Sequence, residues 1–373
     1  MMSRMGNRRS ARALIALLAG CWCGSIVIGQ QPPAPPQEHV ARPQEPKPPL
    51  PYSSEDVSYS NPNAAGVELA GTLTKPDKNS PAPAVLLVSG AGPQDRDETI
   101  AGHKPFLVLS DYLTRRGIAV LRVDDRGVGK STGNFKDATT KDFALDAEAG
   151  FHYLMERADV DHKHVGLIGH GEGAIEAAIV ASSNPQVAFM VLLSGTAVSG
   201  QDVLLAQTAR AEAAAGVPEE QVEADLRLGA GLYKMAQQGR SGAEMERALA
   251  NVPEDYRPFV ESWRRQIPRL QSPWLAFFLS YNPATALEKV QCPVLALFGE
   301  RDMTIDPEQN ASAMKKAFSR GHNRDAKVKV LPGLNYLLQK ANTGLATEYA
   351  SISETMAPAA LDAIGEWISK EVE

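Results

Sequence analysis

Residues 169–173 read Gly-His-Gly-Glu-Gly and directly follow the apolar run Val165-Gly166-Leu167-Ile168. Small residues at both ends of such a turn let a strand and the next helix approach closely. In the G-x-S-x-G elbow the central position then projects a nucleophilic serine. The centre here is Gly171, which has no side chain to acylate. His170 and Glu172 flank it, but neighbouring positions at such a turn point apart, so they do not read as a replacement pair. Three further loops after apolar runs carry candidate groups: Ser89-Gly90-Ala91-Gly92-Pro93, Gly299-Glu300-Arg301-Asp302, and Leu331-Pro332-Gly333-Leu334-Asn335-Tyr336. Asp302 supplies a carboxylate. Tyr336 supplies a phenol whose ordinary pKa near 10 makes it a poor proton acceptor at neutral pH.

Other clusters have plainer explanations. Asp159, Asp161, His162 and His164 have the residue types of a metal set but suit a polar loop before the strand at Val165. Gly127-Val128-Gly129-Lys130-Ser131 ends like a phosphate loop and lacks its opening spacing. Asp95, Arg96 and Asp97 read as an ion-pair scaffold rather than as substrate contacts. Trp274, Phe277 and Phe278 suit either an acyl pocket or a packed helix. Cys292 reads as a small buried residue leading into a strand. No metal and no cofactor is expected.

These loops need a frame. The continuous apolar run at 84–88 suits a strand buried on both faces, 118–123 reads as a second buried strand, and 164–169, 187–194, 294–298 and 327–331 read as further strands. Helical patterns at 105–116, 142–157, 172–182 and 358–370 fall between or after them, and 55–61 with 67–74 reads as an antiparallel opening pair. That alternation predicts an α/β fold, a mostly parallel doubly wound sheet with ligands beyond the carboxyl ends of its strands. From about 200 to 288 the strand signals stop. Pro218 followed by Glu219 and Glu220 starts a helix there, with Val222, Leu226 and Tyr233 on one face, so an inserted helical lid is expected.

Residues 55–373 resemble the α/β-hydrolase superfamily, in particular bacterial secreted esterase-like hydrolases with a serine-aminopeptidase-like or prolyl-peptidase-like domain. The resemblance rests on Ser89-Gly90-Ala91-Gly92-Pro93-Gln94-Asp95-Arg96-Asp97, Asp124-Asp125-Arg126-Gly127-Val128-Gly129-Lys130-Ser131 and Gly166-Leu167-Ile168-Gly169-His170. It continues through Ser272-Pro273-Trp274, Cys292-Pro293-Val294-Leu295-Ala296-Leu297, Gly299-Glu300-Arg301-Asp302 and Leu331-Pro332-Gly333-Leu334-Asn335. In that superfamily the triad runs Ser, Asp, His along the chain. The resemblance puts Gly171 at the nucleophile position, Asp302 at the acid and Tyr336 at the base. It also implies oxyanion-hole amides at Ala91, Gly92 and Glu172. The seven histidines stand at 39, 103, 152, 162, 164, 170 and 322, so none follows Leu331 to serve as base. Asp302 is expected to accept a hydrogen bond from the Tyr336 hydroxyl, as a plug or as part of a ligand site.

The implied protein is of carboxylesterase ancestry, catalytically impaired, and acts by binding an acyl-ester or peptide-like ligand, or a partner. The alternatives are an active ester or peptide hydrolase with a non-standard catalytic group, and a structural module.

Composition narrows the setting. The 373 residues carry a net charge of -6, without the clustered Lys/Arg surface that nucleic-acid binding requires. Arg4, Arg8, Arg9 and Arg12 precede an apolar run from Ala13 to Gly29, the pattern of a signal peptide over 1–29. Removing those four charges takes the net charge from -6 to -10. Leu18-Ala19-Gly20-Cys21 offers a lipobox, with a competing cut after Gly29, so any membrane link is expected through the leader or a lipid on Cys21. Nine prolines in residues 30–51 predict an extended spacer. Export to the periplasm or the exterior is expected, with residues 52–373 forming the hydrolase domain.

Overall fold

The computed structural model describes residues 40–77 and 80–373. The expected leader, Cys21 and the first part of the spacer lie outside the described residues. The described chain falls into two units, Ser199–Asn282 and the remainder.

The larger unit is built on one eight-stranded sheet in the order β1-β2-β4-β3-β5-β6-β7-β8. Its strands are β1 (Tyr52–Ser60), β2 (Glu68–Pro76), β3 (Ala82–Val88), β4 (Ala119–Val123), β5 (Val160–His170), β6 (Met190–Leu193), β7 (Val294–Gly299) and β8 (Ala326–Leu331). β1 and β2 are antiparallel to each other, and β2 is antiparallel to β4. Every pairing from β4 to β8 is parallel. The helices of this unit are α1 (Pro105–Thr114), α2 (Thr140–Met155), α3 (Gly173–Ser183), α9 (Ala284–Leu287), α10 (Pro307–Arg320), α11 (Ala346–Tyr349) and α12 (Pro358–Glu371).

The central strands are apolar on both faces because both are covered. Val85, Leu87, Val120, Ile168, Val191, Leu193, Leu295 and Leu297 pack with Phe106, Leu109 and Leu113 of α1 and Leu361, Ile364 and Trp367 of α12. Helix starts are set locally. Thr139 and Asp142 close a capping box on α2, and the Asp306 carboxylate accepts from the amides of Glu308 and Gln309 at the start of α10. β3 pairs with β4 on one side and β5 on the other, so the winding reverses at β3. Such a reversal opens a crevice at the carboxyl ends of the flanking strands. The loops after β3 and β5 therefore meet there.

The other unit is all-helical: α4 (Gly200–Ala214), α5 (Glu219–Gln237), α6 (Gly242–Ala250), a short 3-10 turn (Glu254–Tyr256), α7 (Arg257–Leu270) and α8 (Pro273–Ser280). Tyr233 and Trp263 meet edge to face at 5.4 Å, and Trp274 stacks on Phe278 at 5.2 Å. Trp274 and Phe278 are thus packed as helix core, whereas Phe277 is half-buried and stacks on Tyr281.

Several features differ from the sequence reading, among them that β1 begins at Tyr52 rather than 55 and β6 at Met190 rather than 187. The helical unit ends at Asn282 rather than about 288, because Pro283 starts α9, which packs against α3 and α10 of the larger unit. β5 begins at Val160, four residues before the expected start. Ala82 pairs with Val160 across a register shift, so the polar stretch is strand and not loop. The spacer is not extended throughout. The Arg42 guanidinium donates to the carbonyls of Ala101, Gly102, Ala350 and Ile352, and the Gln44 side chain bonds the backbone of Thr355 and Met356. Residues 42–44 are therefore held on the larger unit by carbonyls that would otherwise need water.

Candidate active site

The elbow is a backbone construction. β5 ends at His170 and α3 begins at Gly173, so Gly171 and Glu172 make the whole connection. A side chain on Gly173 would collide with the Val88 carbonyl of β3, which fixes glycine where helix and strand touch. Gly171 has φ +54°, a left-handed value that glycine adopts without strain. A Cβ built on Gly171 would overlap the Tyr336 hydroxyl oxygen. The phenol thus stands where a nucleophile's side chain would begin. The same oxygen lies 3.1 Å from where a Cβ of Gly90 would be, so it reaches the loop after β3 as well.

Tyr336 is held there firmly. Its loop is closed by a bridge between Leu334 and Lys340, by Asn335 N–H to the Gln339 carbonyl and by Gln339 N–H to the Asn335 side chain. The Tyr336 carbonyl accepts from the Ser194 hydroxyl (3.1 Å) and is 3.1 Å from His170 Nε2. Its ring lies 4.3 Å from the His170 ring. Burial, then Glu98 and Asp302, push the phenol pKa well above its ordinary value, so the hydroxyl keeps its proton.

Asp302 is fully buried at the end of the β7 loop. Its Oδ1 accepts from the amides of Thr304 and Ile305, both at 2.8 Å, while Oδ2 has no hydrogen-bond partner among the described residues. The expected bond from the Tyr336 hydroxyl to Asp302 is therefore absent, because the phenol reaches across to Gly171 instead. Burial pushes the Asp302 carboxyl up to about 6, against the two amides and His170, which lower it.

His170 and Glu172 do diverge at the turn. Glu172 accepts from Thr140 Oγ1 at 2.6 Å. His170 Nδ1 lies 2.8 Å from Glu98 Oε1, and that oxygen also accepts from the Gly90 amide at 2.7 Å. Burial works against the imidazolium, but the Glu98 charge and hydrogen bond outweigh it and raise the His170 pKa. Sequence reasoning missed Glu98. It lies 72 residues from His170 and adjoins an acidic run whose other members are scaffold. Arg96 pairs with Asp124 (2.7 Å) and Asp56 (3.2 Å), and Asp97 pairs with Arg122. Glu98, Ser194 and Leu338 have φ values of 52°, 46° and 57°, so left-handed non-glycine residues stand within the Tyr336 loop at Leu338 and on two other segments of the site at Glu98 and Ser194.

The amides of Ala91 and Gly92 donate to no group among the described residues, and the Glu172 amide opens α3. Beside this loop, Ser89 Oγ donates to Asp125 at 2.7 Å, and burial pushes that carboxyl up to about 8. The remaining clusters are accounted for by contacts within the chain. Asp159 pairs with Lys75 and Arg157, Asp161 with His164, and Lys130 with Asp56.

Comparison with known proteins agrees with this architecture. The family model for X-Pro dipeptidyl-peptidase (S15 family) matches residues 65–327. Esterase EstD of Thermotoga maritima is 28% identical over 295 residues, 78% of this chain and 62% of EstD, so the chain spans less than two thirds of that relative. An uncharacterised 31.7 kDa protein from the traX-finO intergenic region of Escherichia coli is 25% identical over 262 residues, 68% of this chain and 84% of its own length. Among solved structures, hypothetical protein PA2218 from Pseudomonas aeruginosa covers 91% of this chain and 98% of its own, at TM-score 0.54 and 16% identity. The α/β hydrolase GrgF from Penicillium sp. sh18 covers 86% and 99%, at TM-score 0.53 and 15% identity.

Proposed function

The chain belongs to the X-Pro dipeptidyl-peptidase S15 family of the α/β-hydrolase superfamily, and on that footing we propose that it is a non-hydrolysing member that uses the inherited site for binding. One observation carries this reading: the Tyr336 hydroxyl occupies the place of the nucleophile's side chain above Gly171. No serine is present at Gly171, no histidine stands at Tyr336, and Asp302 Oδ2 has no hydrogen-bond partner among the described residues. Loss of one triad member lowers kcat by about four to six decades, and a second loss adds little because the triad acts as a unit. The phenol does not substitute as nucleophile, because its environment keeps it protonated.

Carbonyl recognition needs only backbone. The unengaged amides of Ala91 and Gly92, with that of Glu172, suit the carbonyl or carboxylate oxygen of an ester or peptide-like ligand. Export follows the leader sequence, with either signal-peptidase cleavage or lipidation at Cys21.

The test compares the wild type with Gly171→Ser, Tyr336→His and the double variant on short-chain p-nitrophenyl esters. The wild type is expected near the uncatalysed rate, and only the double variant is expected to gain, by about a hundredfold or more. Wild-type turnover of about 1 s⁻¹ or more, within the ordinary enzyme range, overturns the reading.

A further inference from the structure

The helical unit contains a second buried acidic site that the hydrolase frame does not use. Glu212 of α4 and Asp225 of α5 are 4% and 7% exposed. They line a cavity of about 40 Å³ together with Thr208, Tyr233, Trp263 and Arg269. The indole N–H of Trp263, on α7, donates to Asp225 Oδ1 at 2.6 Å. No N–H or O–H group among the described residues reaches either oxygen of Glu212. The Asp225 carboxyl lines the same cavity, and two carboxyls facing each other there can hydrogen-bond only through a proton that one of them carries.

We propose that Glu212 and Asp225 form a proton-sharing clasp that joins α4, α5 and α7 of the helical unit while one proton is held, and that loosens this unit when the proton leaves. The surrounding charges do not replace the proton. From α5, Tyr233 lines the same cavity. From α7, Arg269 does so too, but its Nε and Nη2 atoms are buried without a hydrogen-bond partner among the described residues and its guanidinium lies 5.7 Å over the Trp274 ring. Arg210 stands two positions before Glu212 on α4, and α8 brings no charged residue. Glu254 and Asp255 of the 3-10 turn are exposed. Burial, then the Asp225 charge and the shared hydrogen bond, push Glu212 up to about 8. An unfolded glutamate titrates near 4.3, so the folded unit holds the extra proton between these values. Its stability is then fullest in acid and falls as pH rises toward about 8.

Hydrogen exchange of the full chain, read by peptide and corrected for the intrinsic pH dependence of exchange, tests this. Protection in α4, α5 and α7 is expected to fall by about tenfold per pH unit between pH 6 and 8, the slope for one released proton. Glu212→Gln carries a permanent donor in the same shape and is expected to show no such slope. Asp225→Asn keeps the oxygen that Trp263 uses and offers Glu212 an N–H, so it serves as an independent variant with the same expected flattening. A wild-type chain with no pH slope in these helices overturns the proposal whatever the variants do. So does an unchanged slope in either folded variant.

Discussion

The molecule buries a glutamate in each of its two units and stabilises them by opposite means. Glu98, in the sheet unit, faces His170 at 2.8 Å and the Gly90 amide at 2.7 Å, and the pairing raises the His170 pKa. Glu212, in the helical unit, meets another carboxyl and no donor, so a proton takes the place of the cation. A buried carboxylate needs either a countercharge with hydrogen bonds or neutralisation. The His170–Glu98 contact ties the loops around Gly171 through a base and an acid, whereas the proton-sharing pair holds the helical unit through two acids and one proton.

Removing one partner of the ion pair is the strongest way to break that contrast. Glu98→Gln leaves His170 buried without its counter-ion, and the expected loss is about 3–5 kcal/mol in urea denaturation at about pH 6, below the unfolded imidazole's pKa of about 6.5. The His170 pKa is raised, so the stabilisation is complete below its unfolded value and fades as pH rises past the raised one. The loss on substitution should accordingly be greater at pH 6 than at pH 9. A change of less than about 1 kcal/mol at both would show that the pair does not hold the loop.

Gly171→Ser is expected to come next. It places a β-carbon at φ +54° and into the Tyr336 hydroxyl, so strain and overlap add. A loss of about 1–3 kcal/mol is expected from either cause alone. Combining it with Tyr336→His removes the overlap and leaves the backbone strain. The double variant should therefore be more stable than Gly171→Ser alone, as read by thermal unfolding. Equal stability of the two would mean that the phenol does not occupy the elbow.

Much of this frame could be read from the chain itself. Continuous apolar runs such as Ala84-Val85-Leu86-Leu87-Val88 and the glycines around the elbow carry the parallel sheet and the strand-to-helix turn, because burial on two faces and close backbone contact dictate residue type locally. The absence of a serine at Gly171 and of any histidine after Leu331 was equally plain. What the chain did not disclose depends on contacts between distant residues. Glu98 meets His170 across 72 positions, and the aim of the Tyr336 side chain is set by a loop whose Asn335 and Gln339 bonds have no periodic signature. The expected Asp302–Tyr336 bond failed for that reason. Sequence order suggested partners, and loop geometry sent the hydroxyl elsewhere. The docking of Arg42 was hidden similarly, since a proline-rich composition describes the spacer's stiffness and not the carbonyls it meets.

Asp302 offers the finest distinction between an inherited acid and a working one. Its carboxyl is pushed up to about 6 by burial, above the value of about 3.9 in an unfolded chain. The folded state therefore binds the extra proton, and the wild type should lose stability as pH rises from about 4 to 6. Two pKa units correspond to about 3 kcal/mol against the ionised form at pH 7. Asp302→Asn removes that charge and keeps an oxygen for the amides of Thr304 and Ile305, but its new amide group stands where Oδ2 has no partner. An unsatisfied buried amide costs about 1–3 kcal/mol, so the net gain at pH 7 should be about 1 kcal/mol or less. The pH slope between 4 and 6 should shrink with it. In a working triad the same substitution removes most of the rate. Here it is expected to leave ester hydrolysis unchanged, and any fall in turnover would reveal that the carboxylate still serves a base.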